Sequence, residues 1–570
     1  MVDKLTEFKS ANTDLPETNK LWPLYGAGYE NLGRSDQPIE VEMPVPGPDE
    51  LLVRHDAVSL CFSDIKIIRK GEEHPRIYRT MNEVPVVQGH EVAMTVVVVG
   101  ENLKDKYTVG DRLTVQPDIY MDGIGYAYGY EIQGGLSLYN IIDQRVLNGD
   151  GGSYLLPVQP TTGYAESALS EPWACVIAAY AQSYRTGIKH GGKTWIIGQP
   201  GFSGDFTISA GFDSQSHPDT LLLTEVPRKF NVWLNERAAE LDIQVIDVPG
   251  RSAPPVTEID DIILLGGNPD SVERVGPFLN RHGVLAILDN TPLSRKVAID
   301  IGRVHYNGWL YIGGTSADIA SVYQEVPVRT ELKSGGKAWF VGAGGPMGRM
   351  HVQRAIQMNH GPAGILCTDI SDSRLTDLSE SFGPEADSKG IELICLNPVN
   401  TQAYEDGIRQ YFPDGFDDIV VLAPVVTVIE DAAAHLTNNG VMNVFAGLAP
   451  GTLADLDLSD SYLRNTRIFG HTGSTTEDMK RMLDQVECGL LSSNQSVAAV
   501  GSLNAAKAGF IRMEKGDLPG KIVIYPHIKE LPLTPLADLK KCLPSVHALL
   551  KKSREWTVEA EQEFLRLMLP

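Results

Sequence analysis

The spacing of apolar and polar residues predicts a β-rich start to the chain. Residues 38–60 alternate apolar and polar positions around Pro and Gly, a pattern typical of short strands joined by turns. Residues 92–99 form a run rich in β-branched residues that Gly100 closes. Together these segments predict a barrel-like first domain. The Gly- and Tyr-rich segment 120–139 predicts an irregular lobe.

A helix is predicted next, over residues 166–180, where small and apolar residues recur at helical spacing. Pro172 follows Glu171 near its start. Proline fits the first turn of a helix and is disfavoured in its interior. The pattern therefore places Glu171 at the beginning of a helix.

The middle of the chain contains an internal repeat. GKTWIIG at 192–198 recurs as GKAWFVG at 336–342, and DDIILL at 260–265 recurs as DDIVVL at 417–422. In each repeat, strand-like runs alternate with segments of helical length, the pattern of a doubly wound parallel sheet. The chain is therefore predicted to carry two such α/β domains in tandem.

The last part of the chain returns to a helix followed by a strand, and from about residue 535 it is predicted to be helical. Pro544 and Thr557 are the expected helix starts. The segment 564–569 is leucine-rich and amphipathic. We expect it to pack on the body of the protein or on a partner subunit, which leaves a homo-oligomer open.

Composition narrows the function classes. At 570 residues the chain should form roughly three or four domains. The formal net charge of −24 argues against a nucleic-acid partner, which requires a basic face. The six cysteines show no CxxC spacing, so neither a disulfide framework nor a four-cysteine zinc lobe is expected.

The N-terminus lacks the apolar core of a signal peptide, and no apolar run approaches the roughly 18 residues of a membrane span. We therefore expect a cytoplasmic protein without a membrane partner.

Candidate metal ligands lie between residues 61 and 91. Cys61 is followed closely by Ser63 and Asp64, and His90 is adjacent to Glu91. A thiolate, an imidazole and a carboxylate can hold zinc and leave one position open for a substrate. A lone cysteine is more often a small buried apolar residue. The neighbouring histidine and acids favour a metal site.

A glycine-rich loop follows the first strand of the second repeat. Glycines there permit a tight turn and let backbone N–H groups approach a pyrophosphate at a helix N-terminus. The candidate contacts are Gly342, Gly344, Gly345, Pro346, Met347 and Gly348. Asp369 ends the next apolar strand, where a carboxylate can accept both ribose hydroxyls. Its charge favours NAD, while Arg374 leaves NADP open.

The first repeat keeps Gly198, Gly201 and Gly204 in register and places Glu225 where the second has Asp369. It has Pro200 instead of Gly344, and proline supplies no N–H group. Two interpretations of the first repeat therefore stay open: it binds a second nucleotide, or it keeps the fold without binding a ligand. We assign the working cofactor to the second repeat.

Several motifs, in a consistent chain order, resemble those of the zinc-dependent medium-chain dehydrogenases, within them the sorbitol (polyol) dehydrogenase branch. They are CFSDI at 61–65, VPVVQGHEV at 84–92, VGDRLTVQP at 109–117, SEPWACV at 170–176 and GDLPGKIVI at 516–524. The resemblance covers about 38–187, one or both nucleotide domains and about 495–526. It implies a GroES-like catalytic domain and a Rossmann-type nucleotide domain.

Carried over residue by residue, the resemblance implies that Cys61, His90 and Glu91 bind a catalytic zinc. Glu171 is implied as a further acid that ligates the metal or hydrogen-bonds its water. Ser63 is implied to start a proton relay.

Asp64 is implied as a carboxylate beside the metal, with Lys521 as its candidate partner.

The sequence departs from the family in two ways. The segment 120–139 has no cysteine, so one catalytic zinc and no structural zinc are expected. The nucleotide domain is present twice. As a hypothesis, the two sheets pack edge to edge, imitating a contact that ordinary members make between subunits. Which repeat faces the zinc stays open.

The predicted domains are a GroES-like catalytic domain (1–187 and 491–534), a divergent first Rossmann-like domain (188–330), a second Rossmann domain with the NAD site (331–490) and a C-terminal helical extension (535–570). The predicted function is a zinc-dependent oxidoreductase that transfers a hydride between NAD and a secondary alcohol, with a polyol or sugar derivative as substrate.

Three alternatives remain: a sugar-phosphate dehydrogenase, a non-catalytic dinucleotide sensor or scaffold, and a zinc-free enone reductase, which the zinc ligands disfavour. The cations of loop 74–79 would contact a phosphate or acid group of the substrate, but a solvated loop is favoured.

Overall fold

A computed structural model describes residues 4–11, 14–199, 204–324 and 329–570. The chain divides into two compact units. The first comprises residues 1–178, 345–350 and 473–570, and the second comprises 179–344 and 351–472. The predicted domain boundaries stay a prediction.

The first unit is built on an eight-stranded sheet. Seven strands lie side by side in the order Leu155–Pro157, Arg112–Val115, Glu91–Val99, Leu51–Ser59, Lys521–Tyr525, Val497–Ser502 and Thr534–Pro535. Tyr139–Ile142 pairs with Leu51–Ser59 as the eighth strand. Leu51–Ser59 is buried along its whole length. The β-rich domain predicted from residues 38–60 and 92–99 is therefore present.

Short two-stranded pairs and helices surround this sheet. The pairs are Thr18–Leu21 with Ile39–Glu42, Pro23–Leu24 with Val86–Val87, and Tyr120–Met121 with Ile124–Gly125. The α-helices are Lys4–Ser10, Phe62–Lys70, Gln144–Leu147, Tyr164–Ala168, Ser170–Ala179, Thr476–Glu487, Ala506–Lys515, Leu539–Cys542, Pro544–Ala548 and Val558–Met568.

The predicted helix starts are confirmed. Glu171 lies in the first turn of Ser170–Ala179. Pro544 begins its helix, and the Thr557 side chain caps the last helix by accepting a hydrogen bond from Ala560 N. That helix packs on its own unit, because buried Glu561 accepts from the backbone N–H groups of Tyr164 and Ala165.

The second unit contains one twelve-stranded sheet. Its first half has the spatial order Gln244–Asp247, Thr220–Thr224, Lys193–Gly198, Ile259–Leu265, Leu279–Leu288 and Leu310–Gly314. Its second half continues with Arg467–Gly470, Leu436–Val444, Phe416–Val421, Lys337–Val341, Gly364–Thr368 and Glu392–Leu396. When the strands of each half are numbered along the chain and read from the outer edge to the junction between the halves, both halves have the order 3-2-1-4-5-6. This is the strand order of a doubly wound nucleotide-binding sheet.

The two halves meet edge to edge, as the sequence hypothesis proposed. Neighbouring strands within each half are parallel, whereas Leu310–Gly314 and Arg467–Gly470 pair antiparallel through Tyr311 and Ile468. A second antiparallel pair, Val297–Asp300 with Leu453–Leu456, links the halves again. One hydrophobic cluster, which includes Trp195 and Trp339, draws on both halves.

Helices lie between the strands of the second unit. They are Arg228–Glu240, Pro269–Val275, Ile301–Asn307, Ile319–Gln324, Asp372–Ser388, Thr401–Tyr411, Val426–Ala433, Asp460–Leu463 and the part of Pro346–Gln357 from residue 351 onward. Within the described residues, none of the helices has the length and apolar character needed to cross a membrane.

Candidate active site

Three of the predicted metal ligands meet in the first unit. Cys61 immediately precedes helix Phe62–Lys70, and Glu91 begins strand Glu91–Val99 just after His90. The Cys61 sulfur, a ring nitrogen of His90 and a carboxylate oxygen of Glu91 lie within 4.8 Å of one another. His90 and Glu91 are buried, and Cys61 is half-buried.

Ser63 and Asp64 connect the cysteine to the histidine. Ser63 Oγ donates to Cys61 Sγ at 3.1 Å and lies 3.2 Å from His90 Nε2. Asp64 Oδ1 lies 3.2 Å from His90 Nδ1, and Asp64 Oδ2 accepts from Cys61 N at 3.1 Å. Asp64 thus caps the helix that follows Cys61. It also favours the tautomer of His90 that carries its proton on Nδ1. That tautomer leaves Nε2 as the ligand atom.

Charges inside the site are balanced in pairs. Burial lowers the pKa of His90, but the neighbouring Asp64 and Cys61 outweigh burial and raise it. Lys521 Nζ donates to Glu91 Oε1 at 2.5 Å, with both side chains buried. The pKa of Lys521 rises because Glu91 and Cys61 overcome the effect of burial.

The prediction that Lys521 is the partner of Asp64 is wrong. Strand Leu51–Ser59 lies between the strands that carry Lys521 and Glu91, and the lysine reaches across it to the glutamate. Asp64 already accepts from Cys61 N and, at 3.4 Å, from Gly89 N.

The donor set fits a zinc ion. Thiolate, imidazole and carboxylate are the ligands that zinc takes in proteins. Glu91 Oε2 is buried without a hydrogen-bond partner among the described residues. A buried carboxylate oxygen without a partner is costly, and a bound cation would satisfy it.

Glu171 lies outside this group of three. Burial raises the pKa of Glu171 to about 7. The charge of His90 lowers this pKa, and that of Glu91 raises it. The thiol of Cys175, one helical turn later, donates to Glu171 Oε1 at 3.6 Å. Cys175 was not among the predicted site residues, although its i, i+4 spacing from Glu171 is visible in SEPWACV.

Tyr130 is a second neighbour that the sequence did not reveal. Its ring centroid lies 6.1 Å from that of His90. Burial raises its pKa to about 12. Tyr130 comes from the segment predicted as an irregular lobe, where no spacing pattern points to a single tyrosine.

The loop between the metal motifs carries two paired arginines. Arg76 forms an ion pair with Asp118 at 2.5 Å, and Arg79 forms one with Glu131 at 3.1 Å. These two arginines are partly exposed and bind acids from other segments, and the preference for a solvated loop stays a prediction. His74 also lies against the Tyr130 ring, at 5.6 Å.

In the second unit, the glycine loop follows strand Lys337–Val341. Gly342 has φ +84°, a left-handed conformation that favours glycine. A Cβ at Gly344 would lie 2.7 Å from Asp369 Oδ2 and 2.7 Å from Arg374 Cβ. Both positions therefore require glycine.

The chain then enters helix Pro346–Gln357, whose start contains the other candidate phosphate contacts, Met347 and Gly348, after Gly345. Asp369 is buried and accepts from Gly344 N at 3.1 Å. Arg374 Nη1 lies 3.8 Å from Asp369 Oδ1.

The first half of the sheet differs at the matching place. Gly201 and Pro200 lie outside the described residues, and residues 204–219, which lead to strand Thr220–Thr224, form no helix. Glu225 is exposed, whereas its counterpart Asp369 is buried.

Comparisons with known proteins agree with these observations. Residues 47–148 match the alcohol dehydrogenase GroES-like domain. A mannitol-1-phosphate 5-dehydrogenase from Aliivibrio fischeri is 26% identical over 539 residues, which cover 92% of this chain and 93% of that protein. An L-sorbose 1-phosphate reductase from Klebsiella pneumoniae is 28% identical over 306 residues, covering 49% of this chain and 73% of that protein.

Among solved structures, the 2R,3R-butanediol dehydrogenase from Bacillus subtilis matches 89% of this chain and 99% of that chain. The TM-score is 0.51 at 16% identity, so this likeness concerns the fold alone. The GroES-like match and the two relatives indicate an oxidoreductase of the alcohol dehydrogenase type. The chain is therefore similar to proteins of the medium-chain dehydrogenase/reductase superfamily.

Proposed function

We propose that this protein is a zinc-dependent oxidoreductase that transfers a hydride between NAD and a secondary alcohol, a polyol or a sugar derivative. The observation that carries the proposal is the grouping of Cys61, His90 and Glu91 within 4.8 Å. When bound there, zinc supplies a Lewis acid that lowers the pKa of an alcohol.

The surrounding side chains have distinct proposed tasks. Ser63, in hydrogen-bond contact with Cys61 and His90, takes up the alcohol proton and passes it on. Asp64 holds the His90 ring in one orientation, and Lys521 balances the buried charge of Glu91. Glu171 supplies a further carboxylate, as a metal ligand or as an acceptor for water.

The proposed cofactor site is the glycine loop of the second half of the sheet together with Asp369. We propose that the two halves are tandem copies of one nucleotide-binding domain and that the second copy keeps the function. The contrast between helix Pro346–Gln357 and the helix-free segment 204–219 supports this assignment. Buried Asp369 favours NAD, since its charge would repel a 2′-phosphate.

A phosphorylated polyol is a second candidate substrate class, and one observation favours it. The Tyr130 ring lies near His90, His74 and Arg76, and the cations Lys66 and Lys70 lie close enough to His74 to act on it electrostatically. Burial and the charges of these two lysines and Arg76 lower the pKa of His74 to about 4. The positive charges of Lys66 and Lys70 near this place would suit a substrate phosphate. The two relatives named above bear names of sugar-phosphate enzymes.

The decisive experiment combines metal content with a substrate panel. Polyols, sugars and their phosphates are screened for NAD and NADP reduction, and zinc is measured on the same sample. We expect the Cys61→Ala variant to lose both metal and turnover while its unfolding transition is retained. Cys488→Ala, which changes an exposed cysteine, is the matched control and should keep both.

Turnover by metal-free protein would contradict the zinc assignment, and NAD binding without turnover of any substrate would favour a dinucleotide sensor. Lys66→Gln separates the substrate classes: it should raise KM for phosphorylated substrates and leave KM for free polyols unchanged.

A further inference from the structure

Two cysteines outside the candidate active site lie directly opposite each other in the second unit. Cys367 is in strand Gly364–Thr368, Cys395 is in strand Glu392–Leu396, and the two are register partners in a parallel pair. Neighbouring strands lie about 4.8 Å apart. That separation is within the roughly 4.4–6.8 Å between Cα atoms that a disulfide spans.

As register partners on neighbouring strands, the two side chains lie on the same face of the sheet. The Cys367 side chain forms a hydrogen bond with Cys395, and this bond lowers the pKa of the Cys395 thiol. Cys367 is fully buried, whereas Cys395 is half-buried on the outermost strand of the twelve-stranded sheet. Cys395 is therefore the more exposed of the two residues.

The first half of the same sheet provides an internal comparison. Its matching strands place Leu223 opposite Asp247. The same pair of strands therefore forms without cysteines at these positions, so the fold itself does not require two thiols there.

We propose that Cys367 and Cys395 form a reversible cross-strand disulfide, with a peroxide as the oxidant. The Cys395 thiol releases its proton and the thiolate attacks hydrogen peroxide; the O–O bond breaks, a sulfenic acid forms, and the leaving hydroxide takes up that proton as water. The Cys367 thiol then attacks the Cys395 sulfur, the S–O bond breaks, and a second water leaves with the thiol proton. The two thiols lose two electrons and two protons in total, and the peroxide is reduced to two waters.

This disulfide would change the position of the glycine loop. Its effect on NAD binding rests on the proposed function, in which this loop binds the cofactor. Cys367 is followed by Thr368, whose carbonyl accepts from Gly342 N at 2.8 Å and Ala343 N at 2.9 Å. Asp369 comes next. Closing the disulfide moves the backbone at Cys367, and these hydrogen bonds transmit the shift to the loop. Oxidised protein should therefore bind NAD more weakly.

The test uses the full chain carrying Cys488→Ser and Cys542→Ser, which removes the two exposed thiols. The protein is treated with hydrogen peroxide, alkylated, digested and mapped by mass spectrometry. We expect a peptide pair joined through Cys367 and Cys395 that dithiothreitol separates. Sulfenic or sulfinic acid at Cys395 without a crosslink, or two unchanged thiols, would overturn the proposal.

Cys395→Ser is the matched variant and should give no crosslink. NAD affinity is measured on the same samples by calorimetry, and we expect oxidation to weaken it about fivefold or more in the parent and not in the variant. Equal affinity of crosslinked and reduced protein would overturn the effect on the loop. Reduced protein that does not bind NAD would instead contradict the proposed cofactor site, while the crosslink map still decides the disulfide.

Discussion

At the scale of single residues, the ion pair between Lys521 and Glu91 has the largest consequence for stability. The side chain of Glu91 is 0% exposed and that of Lys521 is 4% exposed. Removing one partner of a buried pair leaves an uncompensated charge, which is far more costly than removing both.

We therefore expect Lys521→Met to lower the free energy of unfolding of metal-free protein by about 3–5 kcal/mol. The double variant Lys521→Met/Glu91→Gln should recover most of this loss. Urea denaturation of protein treated with a chelator measures both. A loss below about 1 kcal/mol in the single variant would show that the pair is solvated.

The glycine loop gives a second prediction at this scale. A methyl group at Gly344 would lie 2.7 Å from Asp369 Oδ2 and displace the carboxylate. Gly344→Ala should weaken NAD binding by about tenfold or more, since the ribose acceptor moves. The matched control is Gly383→Ala in helix Asp372–Ser388, where the nearest atom to a new Cβ is 3.9 Å away. Calorimetry would contradict the prediction if both variants bound NAD equally well.

The residues of the candidate site were predictable to different degrees. Cys61, His90 and Glu91 stand in short motifs, and the structure brings them together. The partner of Lys521 was not predictable, because it depends on which strands are neighbours in the sheet. Tyr130 was missed for a similar reason: its contact with His90 joins segments whose spacing carries no pattern.

At the scale of elements, the C-terminal helix Val558–Met568 is held by one buried carboxylate. Glu561 accepts hydrogen bonds from Tyr164 N, Ala165 N and the hydroxyl of Tyr525 at 2.6–2.7 Å. Two of these donors belong to the first turn of helix Tyr164–Ala168, which has unpaired N–H groups at its start. The carboxylate thus caps one helix from another.

Glu561→Ala should destabilise the first unit by about 3 kcal/mol, because buried donors lose their acceptor. Gln562→Ala changes the adjacent exposed side chain of the same helix and should stay within about 0.5 kcal/mol of the parent. Thermal unfolding followed by circular dichroism compares them. Equal midpoints for the two variants would be incompatible with this role of Glu561.

Strands were easier to predict than the connections between them. The repeated apolar runs anticipated Ile259–Leu265 and Phe416–Val421, since a buried parallel strand reads as a continuous apolar segment. The missing helix over residues 204–219 was not anticipated. The Gly, Ser, Asp and Pro content of this segment disfavours a helix. The alignment of the two repeats nevertheless suggested a helix after strand Lys193–Gly198, because one follows the matching strand of the second half.

At the scale of the whole molecule, each unit contains a buried histidine that stays neutral on folding. Burial lowers the pKa of His55 in the first unit to about 4 and that of His351 in the second unit to about 3. Both values lie below the ordinary 6.5 of the unfolded chain. As the pH falls below 6.5, the unfolded chain therefore binds protons that the folded chain does not, and stability decreases until the folded pKa is reached.

Each histidine should cost about 2 kcal/mol of stability at pH 5 relative to pH 7.5. We expect the unfolding midpoints to fall over this range and the fall to be smaller in His55→Gln and His351→Gln. Midpoints that do not change between pH 7.5 and pH 5, or variants with the slope of the parent, would count against this explanation of acid sensitivity.

The antiparallel junction between Leu310–Gly314 and Arg467–Gly470 joins two halves of a single chain. Their association is therefore intramolecular and does not weaken on dilution, unlike that of separate subunits. A symmetric dimer carries every substitution twice. Here a substitution in one half is not copied into the other, so Leu223 and Asp247 can face each other in one half while Cys367 and Cys395 do so in the other. Covalent linkage thus allows the two halves to differ in sequence while their interface persists.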